Sequence, residues 1–164
     1  MKPRIVLAVG LASLLGFGTA SAGYDAELAQ SYAKLFEPAV GAKTGKALHF
    51  MKPEQLIKDL QAGKEIVTLD IRTPNELGVF GMALPGSIEI PLNEVFLPEN
   101  LDRIPQNKTV VLVCQSGTRT AAIVSALRHV GFENAYVLRG GLIALSKHLN
   151  AKTANPPPPK VSAR

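Results

Sequence analysis

Cysteine is nearly absent from this chain. Cys114 is the only one among 164 residues, so no intramolecular disulfide can form. Histidine is almost as scarce: His49, His129 and His148 are dispersed, and none has metal-ligand spacing with another or with Cys114, which leaves no pattern for a metal centre. They read as surface or core residues rather than as a catalytic base. Aromatic residues make up 5% of the chain, with no basic block or stacking set that would argue for nucleic acid. What is present is ordinary for a folded core, 46% hydrophobic and 19% charged residues in a length that fits one domain.

At the N-terminus, Lys2 and Arg4 precede an apolar run over residues 5–18, and Ala20-Ser21-Ala22 supplies an Ala-x-Ala site. These three parts are those of a signal peptide, residues 1–22. The run is short for a membrane span and no stop-transfer basic cluster follows it, which makes an uncleaved anchor the alternative. Cleavage after Ala22 would start the mature protein at Gly23 and, by removing Lys2 and Arg4, lower the net charge from +5 to +3. The expectation is a periplasmic or secreted protein, with no membrane attachment after cleavage. In such an oxidising compartment an unpaired thiol is a liability unless it is buried or used. The sole thiol therefore merits the closest reading.

Residues 108–121 supply its context. The run Thr109-Val110-Val111-Leu112-Val113 is apolar or β-branched without alternation, as in a strand buried on both faces of a parallel sheet. It ends at Cys114 and continues as Gln115-Ser116-Gly117-Thr118-Arg119-Thr120. Ala122, Val124, Ala126, Leu127 and Val130 then recur at helical spacing, predicting an amphipathic helix over residues 120–130. Cys114 thus stands at a strand C-terminus just ahead of a helix N-terminus. Backbone N–H groups of a tight turn and a first helical turn lack intrahelical acceptors and form a concavity for an anion, here the thiolate itself. With Arg119 close by, such a setting lowers a cysteine pKa from about 8.5 toward roughly 3.5 to 7.5. Gly117 gives the turn freedom to fold back over the sulfur.

Cys-Gln-Ser-Gly-Thr-Arg resembles the Cys-x-x-Gly-x-Arg loop of single-domain rhodaneses, the sulfurtransferases. Other parts of that pattern follow in order: Asp70-Ile71-Arg72 with Glu76 four residues on, Leu84-Pro85-Gly86-Ser87-Ile88-Glu89-Ile90-Pro91, and Gly131-Phe132-Glu133-Asn134 through Gly140-Gly141. The likeness spans about residues 48–149. It implies an α/β fold, a three-layer rhodanese-like domain over residues 47–150 with a parallel central sheet flanked by helices. It also implies double displacement: the Cys114 thiolate takes sulfane sulfur from a small anionic donor, thiosulfate or a persulfide, and passes it to cyanide or a thiol. Gln115, Ser116, Gly117, Thr118, Arg119 and Thr120 would form the persulfide loop, with Asp70 and Arg72 in support and no cofactor or metal. For Arg72 the resemblance offers positive charge near the sulfur or a loop tether; an ion pair with Glu76 is the purely structural alternative. A relay that hands sulfur to an accepting protein uses the same residues. A phosphatase or arsenate reductase also cradles an anion with cysteine, but the phosphatase signature has five residues between Cys and Arg, and here there are four.

Two departures from the pattern stand out. Met82 and Ala83, with one extra residue, occupy the place of Gly-His-Ile-Pro-Gly in many relatives, which predicts a different rim; and the usual tryptophan after Gly140-Gly141 is missing, its place taken by Leu142, Ile143 and Leu145 of a final helix.

Outside the pattern, Leu28, Tyr32, Leu35 and Phe36 predict a short amphipathic helix packed on the domain surface, with a docking helix for a partner as the alternative. Residues 41–46 read as a linker, completing an N-terminal extension over residues 23–46. Residues 151–164, with prolines in series from Pro156 to Pro159, read as a disordered or polyproline tail.

Overall fold

The structure is a computed structural model and describes residues 23–84 and 86–155. The signal-peptide reading and the proline series lie outside those residues. Five strands form one parallel sheet: β1 (Phe50–Met51), β2 (Ile66–Asp70), β3 (Ile88–Glu89), β4 (Thr109–Val113) and β5 (Ala135–Leu138), in the spatial order β1-β5-β4-β2-β3. Strands alternate with helices, as parallel pairing requires a crossover between strands.

The unbroken apolar run of β4 places it at the centre. Val110 and Leu112 point to one face, where they meet Leu69, Val124, Leu127, Phe132 and Val137; Val111 and Val113 point to the other, against Leu56, Leu138, Leu142 and Leu145. The first face is covered by α6 (Thr118–His129), the second by α3 (Pro53–Gln61) and α7 (Gly141–His148). The three-layer architecture expected from the sequence is therefore the one observed. Each fully buried Val or Leu contributes roughly 1.5–3 kcal/mol of transfer free energy, so the two-sided burial of β4 anchors the residue that follows it.

Helix α4 (Pro74–Val79) starts with Thr73 as N-cap and proline at N1. Thr73 Oγ1 accepts from the Glu76 N–H and Glu76 Oε2 accepts from the Thr73 N–H, a reciprocal capping box. Helix α1 (Ala26–Phe36) lies against α6, where the Tyr32 ring stacks on His129 at 4.2 Å and Ser31 Oγ is 3.2 Å from His129 Nε2. Helix α1 thus packs on the surface of the domain through α6.

Two regions differ from expectation. The stretch read as a linker forms a 3-10 turn (Gly41–Lys43) and α2 (Thr44–Ala47); Arg128 Nη1 donates to the Ala47 carbonyl at 2.8 Å, so a distant side chain satisfies an orphan carbonyl of this short helix. Residues read as the start of a disordered tail form α8 (Ala151–Ala154), capped by Asn150 and pinned by Gln61 Nε2 donating to the Thr153 carbonyl at 2.8 Å. A further short helix, α5 (Pro98–Leu101), lies in the connection between β3 and β4.

Candidate active site

β4 delivers Cys114 to the C-terminal end of the sheet, the end where ligands of open parallel sheets bind. The turn that follows is held from behind by α7. Leu142 N–H donates to the Cys114 carbonyl at 3.0 Å and Ile143 N–H to the Gln115 carbonyl at 3.1 Å. These are donors of the first helical turn, which have no partner inside their own helix. By fixing the loop carbonyls outward, they leave the loop N–H groups facing the sulfur. Gly117 N–H donates to Cys114 Sγ at 3.2 Å.

The paired glycines make this approach possible. Gly141 lies at φ +57, and a Cβ there would sit 2.7 Å from the Gln115 carbonyl carbon and closer still to the Cys114 carbonyl oxygen. Gly117, at φ +87, faces Gly140 N and the Leu138 carbonyl at 3.0 and 3.1 Å from where its Cβ would stand. Only glycine fits either place.

The Cys114 thiol is fully buried; in the neutral form it donates to Thr120 Oγ1 at 3.8 Å while that hydroxyl donates to the Gly117 carbonyl at 2.9 Å, and once the thiol ionises the hydroxyl supports the anion by turning its proton to the sulfur. Burial pushes the thiol pKa up; the Thr120 N–H and hydroxyl, then the Gly117 and Ser116 N–H groups, outweigh it, so the net direction is down from the ordinary thiol value. This direction is the one expected from the backbone N–H groups of the turn, and the Thr120 hydroxyl adds to it. Arg119 stands close to Cys114, as expected, but its principal partner is Glu76, which the sequence does not announce. Its Nη1 and Nη2 donate to Glu76 Oε2 and Oε1 at 2.9 and 2.6 Å, a bidentate pair in which each side chain is about one-third exposed. Pairing with Glu76 raises the Arg119 pKa, burial opposes this, and the nearby Cys114 adds a smaller increase. Arg119 holds Glu76 well below the usual carboxylate range, at about 2.

Asp70 and Arg72 form a second, fully buried pair. Asp70 accepts from Arg72 Nε at 2.9 and 3.0 Å, from Nη2 at 2.7 Å and from the Arg72 N–H at 3.1 Å. Arg72 Nη2 also donates to the Phe80 carbonyl at 2.8 Å, with its guanidinium 4.8 Å from the Phe80 ring centroid. Of the roles considered for Arg72, the loop tether is the one the geometry supports. The ion pair of Arg72 with Glu76 is corrected: Asp70 takes Arg72, and Glu76 takes Arg119. A contact spanning 43 residues leaves no local signature.

The structure thus brings Cys114, Gly117, Thr120, Arg119 and Glu76 together, while Gln115, Ser116 and Thr118 form an exposed rim with Ser116 Oγ and Thr118 Oγ1 3.1 Å apart. Among the described residues no group of three or more His, Cys, Asp or Glu is placed to hold a metal ion.

Residues 52–148 match the family model of the rhodanese-like domain, more than half of the chain. The chain belongs to the rhodanese-like family. Within it, a protein named Sulfurtransferase from Allochromatium vinosum is 33% identical over 95 residues, which is 58% of this chain and 85% of that protein. The probable adenylyltransferase/sulfurtransferase MoeZ of Mycobacterium tuberculosis is 32% identical over 97 residues, 59% of this chain but only 24% of that longer protein. Among solved structures, a rhodanese-like domain protein from Staphylococcus aureus superposes with TM-score 0.51 at 27% identity, covering 58% of this chain and 88% of its own. A rhodanese-related protein from Thermoplasma volcanium gives TM-score 0.52 at 26% identity over 61% and 92%. The rhodanese-like match ends three residues before α8 begins near the end of the described chain and starts after α1 and α2.

Proposed function

We propose that this protein is a sulfurtransferase that carries sulfane sulfur on Cys114, from an anionic donor such as thiosulfate to cyanide or a thiol. The observation that carries the reading is the cradle of N–H groups around Sγ at the β4–α6 junction, which favours an anionic sulfur. The names of the relatives from Allochromatium vinosum and Mycobacterium tuberculosis support it.

In the first half-reaction the thiolate attacks the outer sulfur of thiosulfate. A new S–S bond forms, the S–S bond of the donor breaks, and its electron pair leaves on sulfite. The Cys114 persulfide anion that remains lies within reach of the same loop amides. In the second half-reaction the cyanide carbon attacks the terminal sulfur, thiocyanate leaves, and the thiolate is restored. Glu76 neutralises much of the Arg119 charge, so Arg119 acts on an anionic donor through the balance of this pair. Asp70 and Arg72 position the β2–α4 loop and touch neither reacting sulfur.

A second reading, a relay that passes sulfur to a protein, is favoured by one observation: Cys114 has no solvent-accessible surface, which suits a partner that opens the rim. Steady multiple turnover with thiosulfate and cyanide supports the enzyme, and a single loading event discharged only by a protein thiol supports the relay. The Cys-to-Arg spacing of four residues disfavours phosphatase or arsenate reductase chemistry. We further propose export, with residues 1–22 removed as a signal peptide; the mass of protein recovered from the periplasm should start at Gly23, and retention of residues 1–22 there would support the uncleaved anchor instead.

A further inference from the structure

Away from the cradle, three adjoining cavities run along the β1 edge of the sheet, of about 390, 260 and 360 Å³. Lys43, Lys46, His49 and Arg128 wall the first; Lys46, His49, Lys52 and Arg139 wall the second, which shares Phe50 and Arg139 with the third. No aspartate or glutamate lines any of the three. Burial and the Arg128 charge hold His49 below its ordinary pKa, so the positive field at neutral pH comes from the lysines and arginines.

Arg128 gives this cleft a cation that cannot turn away into water. Its side chain is nine-tenths buried; Nη1 donates to the Ala47 carbonyl and Nη2 to Glu133 at a long 3.4 Å, while Nε has no hydrogen-bond partner among the described residues. Nε itself has no accessible surface, so what Arg128 gives the cleft is a fixed positive charge rather than a free donor. At its other end the strip reaches Lys52 and Arg139, which follow the C-terminal ends of β1 and β5. That is the end of the sheet where Cys114 lies, and Arg139 adjoins Gly140, packed on Gly117.

We propose that this basic cleft docks an acidic segment of the protein that exchanges sulfur with Cys114, an inference that rests on the sulfur-transfer reading above. Charge complementarity selects the occupant. Nucleic acid is disfavoured because the Tyr136 ring is already stacked on His49 at 4.7 Å, which leaves Phe50 as the one exposed aromatic ring in the cleft where a single strand would need a series of stacking faces. A membrane surface is disfavoured because Phe50 is the sole large apolar side chain that the cleft exposes.

The test uses a fluorescein-labelled hexaglutamate peptide as probe, read by anisotropy at low salt. A triple reversal in the cleft, Lys43→Glu with Lys46→Glu and Lys52→Glu, should weaken binding at least tenfold. A charge-matched reversal on the opposite layer, Lys58→Glu with Lys147→Glu and Lys152→Glu, should weaken it less than threefold. Equal weakening by both variants overturns the proposal, because net charge alone would then explain binding. Tighter binding of a single-stranded oligonucleotide or of phosphatidylglycerol vesicles than of hexaglutamate at equal charge also overturns it. Sulfur loading of Cys114 from thiosulfate, followed by mass, should be equal in the wild type and both variants. Absence of loading in all three refutes the sulfur-transfer reading and with it the partner named here, even where the peptide data still locate an acidic-segment site.

Discussion

At the Glu76 carboxylate two groups meet: Oε2 accepts from both the Thr73 backbone that opens α4 and the Arg119 guanidinium that opens α6, and Oε1 accepts from Arg119 alone. One side chain therefore links the helix after β2 to the helix after β4. Its folded-state pKa is about 2 against an ordinary 4.5, so the pair stabilises the fold above about pH 4.5, and that contribution is lost as pH falls through about 2. Glu76→Gln should cost about 1 kcal/mol at neutral pH, as expected for a bidentate pair about one-third exposed that also closes a cap. Urea unfolding at stepped pH checks this: the gap between wild type and variant should narrow between pH 4.5 and 2, and a pH-independent gap would count against the pair. The same pairing predicts a kinetic signature. Arg119→Ala leaves Glu76 as an uncompensated anion beside the cradle and should raise KM for thiosulfate about tenfold, equivalent to about 1.4 kcal/mol. Glu76→Gln combined with Arg119→Ala should recover most of that loss; a double variant as poor as the single would show that Arg119 meets the donor directly. For the thiol, Thr120→Val keeps the shape and removes the hydroxyl that supports the anion. The pH midpoint for alkylation of Cys114 should move upward in this variant, and an unmoved midpoint would assign the whole effect to the backbone amides.

Among the elements, the β4–loop–α6 unit depends on α7 as much as on its own residues. Gly141→Ala places a methyl group into the Cys114–Gln115 backbone at a positive φ, and the loop must shift to admit it. The expected result is loss of most activity with destabilisation of roughly 2–4 kcal/mol, read by thermal melting and sulfur loading together; an active, normally stable variant would contradict the account of how α7 holds the cradle. The sequence made β4 and the position of Cys114 legible, because each is a local pattern: an unbroken apolar run and a strand meeting a helix. It did not reveal the Glu76–Arg119 pair or the support that Leu142 and Ile143 amides give to the loop, because these join residues far apart in the chain. Helix α2 was missed for the same reason. Its four residues include Gly45 and have little intrinsic helical preference, and the Arg128 guanidinium that closes its end comes from α6. Asn150 explains α8 more locally: a good N-cap stood in the sequence, although only four helical residues follow it.

For the whole molecule, the parallel sheet orders the function by putting the ends of β2 and β4 side by side. Asp70 pairs in register with Val113, so the buried Asp70–Arg72 pair and the cradle share one edge, while the basic cleft approaches that edge from β1. The N-terminal extension contributes walls to that cleft and is fastened through Tyr32 and His129. The central claim is that Cys114 carries sulfur, and intact mass tests it most directly. Reduced protein treated with thiosulfate should gain the mass of one sulfur atom, lose it on addition of cyanide, and show no gain in Cys114→Ser, whose melting temperature should stay close to that of the wild type. A wild-type protein whose thiol is free by alkylation yet never gains sulfur from thiosulfate or a small persulfide, or a Cys114→Ser variant that still transfers it, would contradict the account.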